Sequence, residues 1–365
     1  MTILTQILDL AVAIQQIPAP TFDEATRAES IRRRFQAEGL ADVSLDEAGN
    51  VYARLSGSED GRAAVVSAHL DTVFPGDTDL RIRREPDRIY GPGIGDNSLG
   101  LAGLFGLVWQ LRRDGFQLPG DLWLVANVGE EGLGDLCGMK AVVDRFGSGP
   151  IGYIILEGMA LGQVYHRALG VKRYRVTART AGGHSWIDYG QPSAIHELAG
   201  LVTQLGQLEL PPAPRTTLNV GMIGGGTSVN TIAAEAAFEL DLRSEGVETL
   251  ATLAADVERL AGGVVRPGVE ITVEVIGRRP AGEIPAGHPL VLLAGDCLRS
   301  QGFSPVLAIG STDANIPLSL GLPAVTVGLT RGGAAHTVHE YIQTGPLEKG
   351  MEQLVQLVVR IFDQG

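Results

Sequence analysis

The chain has 365 residues, of which 44% are hydrophobic and 19% charged, an ordinary globular balance at a length that suits about two domains. A formal net charge of -13 excludes nucleic acid and anionic membrane surfaces as partners. Cys137 and Cys297, the only cysteines, exclude a disulfide framework and a Cys-rich zinc motif, and each reads as a small buried apolar residue.

The opening MTILTQILDLAVAIQQIP keeps Ile and Leu at helical spacing, carries Asp9 inside its apolar stretch and has no basic leader. It reads as an amphipathic helix and not as a signal peptide. With no run of about 18 apolar residues that could span a bilayer, the expectation is a cytoplasmic protein. Ala63 to Ala68, Leu122 to Val128 and Ile151 to Leu156 are short apolar runs of the kind found in a buried, largely parallel sheet. Between the first two, SLGLAGLFGLVWQLRRDG reads as a helix capped by Asn97 or Ser98 and closed by a cationic last turn.

From Val171 the texture changes. VKRYRVTART alternates, Pro192 to Leu208 is helical, TTLNVGMI and AAFELDLRS are strands, Val247 to Ala261 is a helix and VEITVEVIG is a last strand. The order β-α-β-β-α-β is that of a ferredoxin-like unit. Gly224 to Gly226 reads as a turn or linker. After Pro280 the α/β pattern returns, with a helix from His288 to Gln301, strands near Val306 and over Ala324 to Gly328, and a helix from Leu347 to Phe362. The expected organisation is a catalytic α/β domain in two segments, 1–168 and 281–365, with an α+β domain inserted over 169–280.

Metal-type ligands are scattered along both segments. A single catalytic zinc takes about three protein ligands, whereas two ions sharing a carboxylate take about five. His69, Asp96, Glu131, Glu157 and His336 fill the larger set, with Asp71 and Glu130 left over. His69 and Asp71 follow a strand and share its face, which suits one ligand and one carboxylate that fixes the ring's tautomer. Asp96 lies in the glycine-rich YGPGIGDNSLG, and an Asp at the helix entry would repel phosphate; it suits a carboxylate bridging two ions. Glu130 and Glu131 project in different directions after another strand, so one can bind metal while the other serves as general base. Glu157 repeats the pattern of an acid at a strand end.

These motifs, H-L-D, G-D-N-S, G-E-E-G, L-E-G and A-H-T-V-H-E, resemble in order and spacing those of the zinc-dependent co-catalytic exopeptidases and deacylases: peptidase T, glutamate carboxypeptidase, acetylornithine deacetylase and the aminoacylases. The resemblance implies a phosphorylase/hydrolase-like zinc peptidase domain with an inserted ferredoxin-like lid and dimerisation domain. It implies two divalent ions, zinc with cobalt or manganese also accepted: His69, Asp96 and Glu157 on one, Glu131 and His336 on the other, Asp96 shared. It further implies Glu130 as general base to a metal-bridging water, Asp71 as the orienter of His69, and a structural His339. Gly182 to Ser185 resemble a G-G-H-S motif whose histidine, here His184, supports the oxyanion, in dimeric relatives from the partner subunit. Arg243, Asn230 and the loop Gly310, Ser311, Thr312 and Asp313 match substrate-facing positions. The implied activity is amide hydrolysis on short peptides by an exopeptidase, a di- or tripeptidase or carboxypeptidase, or else on N-acyl amino acids by a deacylase, in a homodimer paired through the insert. The rival from another class is a non-catalytic module that binds metal or peptide.

Overall fold

The computed structural model describes residues 1–58 and 61–364 and divides into two compact units, one formed by residues up to Ala168 and from Gly282 onward, the other by Leu169–Ala281.

The first segment of unit one begins with helices α1 (Ile3–Gln15) and α2 (Ala25–Ala37) and strands β1 (Ala41–Leu45), β2 (Val51–Leu55), β3 (Gly61–His69), β4 (Arg83–Arg84) and β5 (Arg88–Tyr90). An irregular turn over Ile94–Leu99 leads into α3 (Gly100–Arg113), followed by β6 (Gly120–Asn127), α4 (Cys137–Phe146), β7 (Tyr153–Glu157) and β8 (Gln163–Ala168). Unit two contains β9 (Gly170–Thr180), β10 (Gly183–His184), α5 (Ala194–Leu205), β11 (Thr216–Gly225), β12 (Thr231–Ile232), β13 (Glu235–Ser244), α6 (Val247–Val264) and β14 (Val269–Arg279). The chain then returns to unit one with β15 (Gly282–Glu283), α7 (Pro289–Ser300), β16 (Val306–Gly310), α8 (Asn315–Ser319), β17 (Ala324–Gly328), β18 (Gly332–Gly333), β19 (Tyr341–Gln343) and α9 (Leu347–Ile361).

Unit one is built on a sheet ordered β1-β2-β6-β3-β7-β17-β8-β15, with β16 paired to β8. Its centre, β6-β3-β7-β17, is parallel. Residues such as Val65, Val66, Leu124, Ile154 and Ile155 are fully enclosed there, which explains why these strands read as continuous apolar runs without alternation. On α1, Ile7, Ala11 and Ile14 turn inward and the helix packs on α3; Phe35 of α2 stacks on Phe105 of α3 with ring centroids 4.8 Å apart. A small second sheet, β18-β19-β5-β4, brings residues 88–90 beside residues 332–343.

Unit two has the antiparallel order β11-β13-β9-β14, which is the 4-1-3-2 arrangement of a ferredoxin-like sheet read from its other edge. On β13, Ala236, Phe238, Leu240 and Leu242 alternate inward to a core of their own with Leu198, Leu201 and Val257. The period-two signal is clean because the other face is polar and laced with cross-strand ion pairs such as Arg175–Glu239 and Arg173–Asp241.

Three sequence expectations are corrected. Gly224 and Gly225 are not a linker; they extend β11 opposite Ala237 and Ala236. Cys137 is exposed, whereas Cys297 is buried as expected: the glycine-rich loop before α4 leaves the first residue of that helix at the surface. His339 is exposed too and packs no core; it lies in the loop between β18 and β19. No helix among the described residues is long and apolar enough to cross a membrane.

A candidate metal centre at the carboxyl edge of the sheet

The parallel strands β6, β3 and β7 end at one edge of the sheet, the edge at which open α/β sheets bind ligands. His69 is the last residue of β3 and Glu157 the last of β7, while Glu130 and Glu131 follow β6 by a few residues. The turn carrying Asp96 enters the same place. Asp96 Oδ1 lies 3.1 Å from His69 Nε2, and Asp96 Oδ2 lies 3.0 Å from His336 Nε2. Glu157 Oε2 is 3.9 Å from His69 Nε2, and Glu131 Oε1 is 3.3 Å from His336 Nε2.

One carboxylate therefore faces two separate His and Glu pairs with its two oxygens. The edge of a tetrahedron with ligand bonds of about 2.0–2.1 Å is roughly 3.3 Å, so spacings of 3.0–3.9 Å suit donors shared around cations. His69, Asp96 and Glu131 also offer one ligand atom each within 4.8 Å of one another. The donor set, nitrogen and carboxylate oxygen without thiolate, fits zinc and its neighbours.

Hydrogen bonds hold several of these side chains and their loops in place. His69 Nδ1 donates to the main-chain oxygen of Asp71 at 3.0 Å, with the Asp71 carboxylate 3.5 Å away. That carboxylate accepts the main-chain N–H groups of Glu130 at 3.0 Å and Glu131 at 2.8 Å, and the Thr21 hydroxyl at 2.9 Å. Both glutamates are buried, unlike the solvated turn that an E-E pair usually forms. The enclosed Arg27 guanidinium donates to the carbonyls of Ile17 and Leu70; burial lowers its pKa to about 10, with Asp71 and Glu24 opposing.

The electrostatics record crowded negative charge. Burial raises the Glu157 carboxyl to about 8, with Asp96, Asp313 and Glu131 adding to the effect and His69 opposing it. The hydrogen bonds His336 makes to the carboxylates of Asp96 and then Glu131 raise it to about 10. Burial alone would lower His69, yet its contacts with Asp71 and Asp96 and the charges of Glu157 and Glu130 carry it well above its ordinary value. Asp96 goes the other way: burial would raise it, and His336 and His69 hold it far below the carboxylate range.

Residues 65–361 match the model of peptidase family M20/M25/M40. The chain belongs to that family. A Peptidase M20 domain-containing protein of Schizosaccharomyces pombe is 33% identical over 267 residues, which cover 69% of this chain and 64% of that protein, so the match spans less than two thirds of the relative. Acetylornithine deacetylase of Myxococcus xanthus is 28% identical over 333 residues, 85% of each chain. Among solved structures, a tripeptidase from Staphylococcus aureus superposes with a TM-score of 0.83 at 22% identity, covering 99% of each chain, a likeness of fold. The family is the one that the motifs resemble.

Three residues of this M20 chain escaped the sequence reading. Thr21 supports the Asp71 carboxylate from the far N-terminal segment. Asn97, read only as a helix cap, accepts the Gly100 N–H at 3.1 Å and the Gly158 N–H at 3.2 Å and donates to the Leu156 carbonyl at 2.8 Å. Glu340, fully buried, accepts from the main-chain N–H groups of Gly93, Gly95 and Asp96 at 3.2, 2.7 and 2.9 Å; burial and then Asp96 raise its carboxyl to about 7. Its place in H-T-V-H-E was visible, but its partners, about 245 positions away, were not.

The GSTD loop follows β16. Asp313 is buried and accepts from the Asn127 side chain at 2.7 Å, while the Thr312 hydroxyl lies 3.0 Å from that of Thr326. In unit two, His184 pairs with Thr231, and the Ser185 N–H donates to the Asn230 carbonyl at 3.0 Å. His184 Nδ1 accepts the main-chain N–H groups of Trp186 at 3.2 Å and Ile187 at 3.4 Å, which places the ring proton of the neutral form on Nε2. Arg243 Nε donates to Asp241 Oδ2 at 2.7 Å.

The metal-free site at pH 7 holds protons on Glu157, raised to about 8, and on His336, raised to about 10. Loading with a divalent ion must displace them, so metal affinity rises as pH rises toward those values. Calorimetric titration with zinc at pH 7 in buffers of different ionisation enthalpy is expected to give buffer-dependent heats; equal heats in all buffers would show that no proton leaves.

Proposed function

We propose that this M20 hydrolase is a two-metal exopeptidase that cleaves an amide bond of short peptides, of the di- or tripeptidase or carboxypeptidase type. The observation that carries the reading is the placement of the Asp96 oxygens toward separate His and Glu pairs, 3.1 Å from His69 and 3.0 Å from His336. Two divalent ions, zinc by donor preference, would be held by His69, Asp96 and Glu157 and by His336, Asp96 and Glu131. When bound, such ions polarise an amide carbonyl and lower the pKa of water to about 7.

The chain's own groups do the rest. With Nδ1 donating to the Asp71 carbonyl, His69 turns the Nε2 lone pair to the centre. Asp71 holds both amides of the Glu130–Glu131 pair and so fixes the base relative to the ligand beside it. Glu130 takes a proton from the attacking water and delivers it to the leaving nitrogen, a role of about 10²–10⁴-fold in rate. His184, donating from Nε2, supports the oxyanion. Arg243 and Asn230, with Gly310, Ser311, Thr312 and Asp313, are the residues proposed to border the substrate, and a planar guanidinium suits its carboxylate. The Myxococcus xanthus acetylornithine deacetylase, matched over 85% of both chains, supports a second reading, deacylation of N-acyl amino acids at the same centre. Two free cysteines agree with a reducing, cytoplasmic setting.

The test is hydrolysis of a library of di- and tripeptides and N-acetyl amino acids, with and without added zinc, cobalt or manganese. Metal-dependent release of a free amino acid is expected, with peptides turned over faster than acyl amino acids; the reverse order would favour the deacylase. Glu130→Gln should lower kcat by about 10²–10⁴-fold at unchanged metal content, and His184→Ala by about 10²–10³-fold. Full activity in either variant would remove that residue from the mechanism.

Pairing of two chains through unit two is part of the proposal, supported by the edge strand β11 and its exposed Met222 and Ile223. Equilibrium sedimentation at micromolar concentration should report a dimer, and only monomer would contradict it.

A further inference from the structure

Asp96 can present one oxygen to each of two ions only if its backbone is held from both sides, and two fully buried polar residues hold it. Glu340 lies in the hairpin between β18 and β19, the same hairpin that carries His336, and β19 pairs with β5, the strand that leads into the Asp96 turn. Its carboxylate accepts the N–H groups of Gly93, Gly95 and Asp96, and its carbonyl accepts that of Gly91 at 2.9 Å. The glycines serve this wrapping: Gly93 has a φ of 71°, in the left-handed region that glycine adopts freely. One residue thus ties the Asp96 turn to the His336 hairpin.

Asn97 makes the complementary connection. Its side chain grips the Leu156 carbonyl and the Gly158 N–H, the peptide groups on either side of Glu157, and so sets that ligand against Asp96. Apart from the bond from the Gly100 N–H at the start of α3 to Asn97, both side chains place their hydrogen bonds on backbone that flanks or includes candidate ligands.

We infer that Glu340 and Asn97 are positioning residues that serve different ions: Glu340 sets the His336–Glu131 side of the centre and Asn97 the His69–Glu157 side. The inference rests on the two-ion reading proposed above. Partners that orient metal ligands typically govern affinity by roughly 10–100-fold. A glutamine at position 340 keeps the shape and one acceptor oxygen but turns an NH₂ group toward an amide N–H, so its effect is smaller than that of alanine.

The experiment is titration of the metal-free full chain with Co²⁺, followed by visible absorption and calorimetry. Glu157→Ala and His336→Ala assign the two binding steps. Wild type should bind two ions. Glu340→Ala should weaken the step that His336→Ala abolishes by roughly 10–100-fold, with Glu340→Gln intermediate and still informative if the alanine variant does not fold. Asn97→Ala should weaken the step that Glu157→Ala abolishes by a similar factor. Wild-type affinities at both steps with only a lowered Tm, or equal weakening of both steps by both anchors, would overturn the inference. Fewer than two ions in wild type would instead overturn the reading beneath it, and the inference with it.

Discussion

Asp71, Glu130, Glu131, Asp313 and Glu340 are buried at one edge of a sheet, with Asp96 and Glu157 mostly enclosed beside them. Among them stand His69 and His336, and Arg27 is close enough to act on Asp71. Carboxylates removed from water are costly unless paired or bound to cations, and so many gathered at one edge repel one another. Burial raises the Glu157 carboxyl and the contacts with Asp96 and Glu131 raise His336, the direction in which held protons relieve the excess. Divalent cations relieve it more completely, and the fold is built so that the acids remain close in spite of their repulsion.

What keeps them close is the main chain. Parallel β3 and β7 deliver His69 and Glu157 as their last residues, and the centre of the sheet is enclosed, with mostly apolar side chains. The irregular parts, the Asp96 turn and the GEE loop, are then fixed by single carboxylates that accept several amide N–H groups each: Glu340 for residues 93, 95 and 96, and Asp71 for residues 130 and 131. Such bonds are charge-assisted and stronger than neutral ones. Strand ends and anchored loops together set the backbone positions of the candidate ligands.

Much of this was legible in the sequence, for local reasons. Apolar runs marked β3, β6 and β7, and alternation marked β9, β11, β13 and β14, because each pattern reports its burial directly. The gathering of His69, Asp96, Glu131, Glu157 and His336 could be anticipated because so many acids and histidines fall at strand ends and in the turns beside them. Helix α2 was missed: ATRAESIRRRFQA is mostly polar, and its apolar face is only Ala28, Ile31 and Phe35 with an enclosed Arg27. Strands β1 (ADVSL) and β2 (VYARL) lack the unbroken apolar run that marked the equally short β7 (YIILE). The anchors Asn97 and Glu340 were present as letters, yet their function depends on partners reached only through tertiary folding. Cys137 was misjudged for a similar reason, since its exposure follows from loop geometry and not from residue type.

The central claim is that Asp96 bridges two ions, and the most direct measurement is anomalous diffraction at the zinc edge from crystals of the zinc-loaded protein. The account predicts two peaks per chain roughly 3.5–4 Å apart, one bordered by His69, Glu157 and an oxygen of Asp96, the other by His336, Glu131 and the second Asp96 oxygen. A single peak, or two that do not share Asp96, would contradict it.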